Sequence, residues 1–294
     1  MSELRLDEMI IKNIRSFFDI KTFAVYSLTN KTNYEEFHIY REIYKLIKRR
    51  NIKQEGYNLH KILTSTNGYK TILHHACKDE KISLELVKFL IESKSDLNLK
   101  EKNKNTPLHL ACKNRSINLE VIKTLVENKA DLNSKEYYGS TPLHLACKNI
   151  KITNEILQFL VERKCDVNEK EFYGDYTPLL NLCENENVSY TMVMCLLNNK
   201  ADITSKEYYG NNVLHLACKN KKIQSDVINF LIEKKADLNA REYYENTPVL
   251  LACKNVNFSL SVVRALINNK ADLNLKDKNG VLPMSLVKKR NEKI

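Results

Sequence analysis

Four histidines each stand three residues ahead of a cysteine: His74 before Cys77, His109 before Cys112, His144 before Cys147 and His215 before Cys218. Imidazole and thiolate one helical turn apart are side chains that could hold zinc. A structural zinc takes four ligands at about 2.0–2.3 Å, and each of these sites supplies two. The next pair lies one packed helix away, about 10 Å, so no tetrahedron closes and no metal is expected. Bond-making chemistry finds no footing either, because the chain has no glycine-rich phosphate loop, no nucleophile elbow and no Cys/His/Asp set separate from this pattern. The expectation is a protein with no enzymatic activity and no cofactor. The remaining candidates are recognition groups: aromatic pairs at Tyr137-Tyr138, Phe172-Tyr173, Tyr208-Tyr209 and Tyr243-Tyr244, and lysines at 78, 113, 148, 219 and 254, with Glu184 breaking the row.

These residues recur because the elements that carry them recur. Thr106-Pro107-Leu108-His109-Leu110-Ala111-Cys112 returns unchanged from Thr141, with looser copies at Thr71, Thr177, Asn212, Thr247 and Leu282. The anchors stand 35, 35, 36, 35, 35 and 35 residues apart, a period that marks a repeat array. In the unit beginning at Asn105, Thr106 is the expected N-cap and Pro107 the first helical residue, where a missing N–H costs nothing. Asn114 is the expected left-handed stop, repeated at Asn149, Asn220 and Asn255. A second helix is expected behind the caps Ser83, Asn118, Thr153, Ser189 and Ser259, with Ser225 standing in for Gln224. In the type unit, Leu119, Ile122, Leu125 and Val126 form its apolar face. Lys135 to Ser140 then form a projecting turn.

The run Thr141-Pro142-Leu143-His144-Leu145-Ala146, a second helix and the phrase Lys129-Ala130-Asp131-Leu132-Asn133 resemble the ankyrin repeat. The resemblance covers residues 67–294 and implies an all-α, ankyrin-type α-solenoid: helix-loop-helix units with β-hairpin-like fingers, six full units and a terminal half unit. It also implies that the histidines hydrogen-bond within and between units and that the fingers and concave groove face partners. The chain departs from the family in three ways. The usual Gly-His pair between helices is missing and that loop is longer, giving a period above the usual ankyrin length of about 33 at a closure cost of a few tenths of a kcal/mol. The finger acid is Glu101, Glu136, Glu171, Glu207 and Glu242, with only Asp277 keeping the usual type. The seventh unit has one helix. A tetratricopeptide array, of about 34 residues per unit, gives no reason for Thr-Pro-Leu-His and wants a tryptophan that this chain lacks.

On this frame, Tyr137, Tyr138, Phe172, Tyr173, Tyr208, Tyr209, Tyr243 and Tyr244 occupy finger tips, against Lys102-Asn103 and Lys278-Asn279 at the ends of the array. Exposed tyrosine gives large contact area with little rotamer entropy, so the pairs are candidate partner-binding anchors; stacking of each ring on the neighbouring finger is the competing role. Lys113, Lys148, Lys219 and Lys254 sit at the position the family turns toward its groove, where they would favour an acidic segment of a partner protein. A cation complementing the helix dipole is the alternative, worth about 0.3–1 kcal/mol. The fourth unit is the outlier: Leu180-Asn181 replaces His-Leu, Glu184 replaces Lys, a residue is inserted near Asp175-Tyr176, and Met192 and Met194 imply softer packing.

Residues 1–66 lack the phrase and are read as a helical N-terminal cap or degenerate repeat, with a recruitment module for a larger enzyme assembly as the alternative. The net charge of +11 divides as +4 over residues 1–66 and +7 over the rest, with no long basic run. That distribution argues against nucleic acid, which, with other anionic surfaces, remains the weaker alternative. No apolar stretch approaches the roughly 18–20 residues that span a bilayer. Six of the eight cysteines fall at one repeat position, too far apart for disulfides, so reduced buried thiols and a cytoplasmic location follow, with the nucleus also compatible. The reading is a monomeric scaffold that binds another protein.

Overall fold

The computed structural model describes residues 70–80, 84–92, 94–255 and 259–291; the expected N-terminal cap at 1–66 and the cap at Ser83 lie outside them. The described residues hold α-helices and no strand. They belong to two compact units, one reaching Asp131 and one starting at Leu132. In the first, α1 (Ile72–Lys78) and α2 (Leu84–Glu92) form one helix pair, and α3 (Pro107–Lys113) and α4 (Leu119–Glu127) the next. The second unit repeats the pairing with α5 (Pro142–Lys148) and α6 (Asn154–Glu162), α7 (Pro178–Glu184) and α8 (Tyr190–Asn198), α9 (Val213–Lys219) and α10 (Ser225–Glu233), and α11 (Pro248–Lys254) and α12 (Leu260–Asn268). The last element is α13 (Pro283–Asn291). Within each unit, first helices pack on first helices and second on second, as α5 on α7 on α9 on α11 and α6 on α8 on α10 on α12. This is the stacking of a solenoid.

The local chemistry explains the pattern. In α1, the Thr71 hydroxyl accepts from the His74 backbone N–H while the Thr71 N–H donates to His74 Nδ1 at 3.1 Å, so cap and ring satisfy each other. Pro107, Pro142, Pro178 and Pro248 each open a first helix and are buried. Behind them Leu108, Ala111 and Cys112, and their equivalents Leu143, Ala146 and Cys147, are buried in the core. All eight cysteines are free thiols.

Several expectations are corrected. Asn114, Asn149, Asn220 and Asn255 are extended, not left-handed, with ψ of 136°, 118°, 128° and 130°. Their side chains act instead. Asn220 Oδ1 accepts from Lys222 N at 2.9 Å, while Nδ2 donates back to the carbonyls of Cys183 (3.2 Å) and Asn185 (2.7 Å) at the end of the preceding first helix. Asn114 does the same toward Cys77 and Asp79, and Asn185 toward Cys147 and Asn149. The left-handed residue is the lysine after each second helix, Lys94, Lys129, Lys164, Lys200, Lys235 and Lys270, with φ from 61° to 73°. The buried face of α4 is Val121, Ile122 and Leu125, with Leu119 and Val126 half-buried at its margin. Gln224, not Ser225, precedes α10 and makes no side-chain cap bond, and Ser259 bonds Ser261 rather than capping α12. Asn118, Thr153 and Ser189 do cap their helices.

Candidate functional site

The fingers are built on a buried carboxylate. In the finger at residues 136–140 Glu136 N donates to Ser140 O and Gly139 N to Glu136 O, both at 3.0 Å, which closes the turn at both ends. Glu136 Oε1 then accepts from Tyr138 N (2.8 Å) and Ser140 N (3.1 Å), filling the middle. Glu207 takes Asn211 N and Nδ2 at 2.9 and 2.6 Å, and Glu242 takes Tyr244 N, Asn246 N and Asn246 Nδ2. Asp277 receives Asn279 N and Val281 N, each at 2.9 Å. Glu therefore replaces the family's Asp without loss of the turn, because either carboxylate reaches the same N–H groups. Burial by itself raises the Glu242 and Asp277 carboxyls, but these donors, joined by Lys254 at Asp277, outweigh it and leave both below the usual carboxylate range. The sequence reading missed the acid as an organising residue. Its signal was present: an acid in every finger followed four residues later by Asn or Ser in four of them, Asn105, Ser140, Asn211 and Asn246.

Gly139 has φ of 84°, and a Cβ there would stand 2.6 Å from Phe172 N. That close approach serves a ladder between fingers. Phe172 N donates to Tyr138 O (2.9 Å), Tyr243 N to Tyr209 O (2.7 Å) and Lys278 N to Tyr244 O (3.1 Å). The finger at residues 171–176 breaks the register: with its extra residue, Tyr208 N reaches Gly174 O instead of Tyr173 O, and Glu171 N closes on Tyr176 O one residue further along.

On this ladder the predicted aromatics come together within the second compact unit, each between 52% and 73% exposed. Tyr137 and Tyr138 meet edge to face at 5.2 Å, Tyr208 and Tyr209 at 5.2 Å, and Tyr243 and Tyr244 at 5.1 Å. Tyr138 touches Tyr173 at 5.9 Å and Tyr209 touches Tyr243 at 6.3 Å. Among the described residues no ring pair links Tyr173 to Tyr208, so the register break divides the row into two aromatic groups. Lys135 lies 5.0 Å from the Phe172 centroid and Lys278 3.9 Å from that of Tyr243. Neighbouring fingers do stack, and the rings nonetheless stay exposed.

The lysine row is differently placed. Lys148 pairs with Glu171 at 2.7 Å and Lys254 with Asp277 at 2.5 Å, each tying the end of a first helix to the next finger's acid. Lys219 donates to Asn211 Oδ1 at 2.9 Å. Lys113 is exposed at the end of α3 in the first compact unit. Lys148 and Lys254 thus act as structural clamps from the last turn of their helices, where a cation also complements the helix dipole, and do not form a free basic strip.

The histidines are structural too. A backbone N–H can only donate, so Thr71 N and Thr141 N, each 3.1 Å from the Nδ1 of His74 and His144, fix that nitrogen as unprotonated. Nε2 carries the hydrogen and donates across to Leu99 O and Asn105 O from His74, and to Glu169 O and Tyr176 O from His144. Burial holds both imidazoles below their usual range. Among the described residues no cluster of His, Cys, Asp or Glu could hold a metal ion. No described helix is long and apolar enough to cross a membrane.

Stacked helix pairs bearing turn-built fingers define a helical-repeat protein whose variable chemistry sits on its surface. The chain belongs to the ankyrin-repeat family: the family model "Ankyrin repeats (3 copies)" matches residues 44–136, 73–171, 153–242 and 179–277. The crystal structure of the human ASB11 ankyrin repeat domain is similar, with a TM-score of 0.63 at 23% identity, over 74% of this chain and 91% of that one. No curated protein sequence matches significantly. Ankyrin repeats are generally protein–protein interaction modules and typically non-catalytic.

Proposed function

We propose that this chain is a non-catalytic scaffold that binds a partner protein through the aromatic finger row from Tyr137 to Tyr244. The supporting observation is the exposure of paired rings on turns locked by a buried acid, a helix-end lysine and an interfinger hydrogen bond. A surface held this firmly loses little entropy on binding, so modest contacts on successive fingers add up. Tyrosine in such a setting is a typical binding anchor. Because Lys148 and Lys254 are occupied by Glu171 and Asp277, the rings rather than the groove lysines carry the interaction. The free thiols fit a reducing, cytoplasmic setting. The test is retention of proteins from a cell extract on the immobilised chain, compared with a variant carrying Ala at the four finger pairs and shown by circular dichroism to remain helical. Loss of at least one retained protein is expected; an unchanged set overturns the reading.

A further inference from the structure

We infer that the step from the α7/α8 pair to the α9/α10 pair is a joint built into the second compact unit, about which the two aromatic groups of the finger row change their relative angle. Three kinds of side-chain tie cross from one helix pair to the next in this unit. The step from α5/α6 to α7/α8 carries all of them. His144 Nε2 donates to Tyr176 O at 3.1 Å, and Lys148 clamps Glu171 at 2.7 Å. The Asn168 side chain joins the loop after α6 to the loop after α8, donating to Lys200 O at 2.8 Å and accepting from Asp202 N at 2.7 Å. The step from α9/α10 to α11/α12 keeps the first and third, with His215 Nε2 donating to Asn246 O at 3.0 Å and Asn239 Oδ1 accepting from Asp272 N at 2.8 Å. Between these two steps all three are missing among the described residues. Leu180 stands in the histidine's place, Glu184 in the lysine's and Thr204 in the asparagine's. Thr204 turns its hydroxyl to Asp202 Oδ1 at 2.7 Å, within its own loop. Glu184 and the finger acid Glu207 occupy the two ends of the clamp, so like charge replaces the opposite charges of Lys148 and Glu171. Both carboxylates lie near the Tyr176 phenol, adding to burial in raising it above its ordinary range.

Helix packing agrees with the side chains. α8 packs less extensively on α10 than α6 does on α8 or α10 on α12, whereas α7 packs on α9 as fully as α5 on α7. The directed bonds that remain follow the first helices and the fingers: Asn220 to the carbonyls of Cys183 and Asn185, and Tyr208 N to Gly174 O at 2.9 Å. Elsewhere the step is spanned by Tyr190 resting on Phe230, with ring centroids 4.5 Å apart, and by the exposed pair Lys222 and Glu186 at 3.0 Å. Ring packing and a surface ion pair tolerate sliding that buried, directed bonds resist. The pivot therefore runs beside α7 and α9, and the opening lies between α8 and α10, where Met192 supplies an adaptable buried side chain. The joint coincides with the gap in the rings, because Tyr173 belongs to the finger before α7 and Tyr208 to the finger before α9. Each aromatic group keeps its own internal contacts, so the two move as separate bodies. The joint stands whether or not the rings bind a partner.

The test reads the spread of distances across the joint in the full chain. Nitroxides carried on a ketone-bearing amino acid replace Glu155 in α6 and Arg264 in α12, both exposed, and pulsed electron double resonance gives their distance distribution. A restoring variant, Leu180→His with Glu184→Lys and Thr204→Asn, returns the sister residues to the step and should narrow the distribution by about two-fold. A stripping variant, His144→Leu with Lys148→Glu and Asn168→Thr, removes the same ties from the preceding step and should broaden it by a similar factor. Circular dichroism and urea midpoints establish that each variant is folded. Glu184→Lys alone changes one exposed helix-end residue, so it keeps the fold and should narrow the distribution in part. A wild-type distribution already as narrow as that of the restoring variant, or of Glu184→Lys should the triple change not fold, overturns the inference. So does a folded stripping variant with no added breadth, because the ties would then not set the stiffness of the array.

Discussion

Two buried asparagines show how far a side chain's partners, rather than its type, decide its effect. Asn220 makes three hydrogen bonds, two tying its helix end to the preceding first helix and one accepted locally from Lys222 N. Replacing it by Ala takes one partner each from the Cys183 and Asn185 carbonyls, although Asn185 O keeps the Val188 N–H, so Asn220→Ala should lower unfolding free energy by about 1–2 kcal/mol, read from urea denaturation. Asn181 is the opposite case: only 3% exposed, its Nδ2 has no hydrogen-bond partner. The same place in sister units holds Leu110, Leu145, Leu216 and Leu251, so the surrounding packing is built for leucine. Asn181→Leu should therefore stabilise by about 1–2 kcal/mol, and a lower denaturation midpoint would refute the argument. A buried amide without a partner, where four sister units carry leucine, marks the fourth unit as a place where the array departs from its own consensus. The same unit carries the inserted residue that shifts the finger ladder.

At the scale of the element, the second helices end in a way their sequence conceals. Each is followed by lysine in the left-handed region, from Lys94 to Lys270, where glycine is the unstrained choice. A non-glycine residue there costs about 1–2 kcal/mol, partly offset because glycine loses more freedom on folding and because a cation favours a helix C-terminus. Lys235→Gly should thus stabilise by about 0.5–1 kcal/mol net, with Lys200→Gly additive to it in thermal or urea melts; destabilisation by either would show that the lysine side chain contributes more than its charge. The missed stop also shows what was legible. Helix pairs, the Thr-Pro start and the finger positions repeat in residue type, and a pattern of types is what sequence displays. At Asn114 the side chain is received by the preceding unit, more than thirty residues away in sequence, whereas Lys129 and Ala130 end their helix by local bonds to Val126 O and Leu125 O that no residue type there announces. The aromatic row was legible as residues. Its division at Gly174 was not, because a one-residue register shift arises from hydrogen bonds between fingers. Nor was the ion pairing of Lys148, which meets the acid of the following finger, twenty-three residues on.

For the whole chain, the histidines that cap first helices make stability depend on pH with a definite sign. His74, His144 and His215 are fully buried, and burial lowers their affinity for protons, His215 to about 4. His75, pressed by burial and by Lys70, is also lowered to about 4. In the unfolded chain each titrates near 6.5, so below that pH the unfolded state binds more protons than the folded one. Stability is therefore complete above about pH 6.5 and falls as the solution is acidified toward pH 4. For His215 the loss over that window is of the order of 3 kcal/mol, and His74 and His144 add in the same direction. The finger acids reinforce it lower down: Glu242 and Asp277 have depressed carboxyls, so their contribution is present above the ordinary carboxylate range and disappears as pH falls through their folded values. Urea denaturation of the full chain at pH 7 and pH 5 should show a clear drop, larger than an array with uncharged caps would give. The chain contains its own control, because Leu180 and Leu250 stand where other units have histidine. His215→Leu should lower stability at pH 7 by loss of the bond to Asn246 O, yet shrink the difference between pH 7 and pH 5. An unchanged difference would mean that the buried imidazole takes up its proton without unfolding, and that the acid sensitivity resides in the carboxylates of the fingers instead.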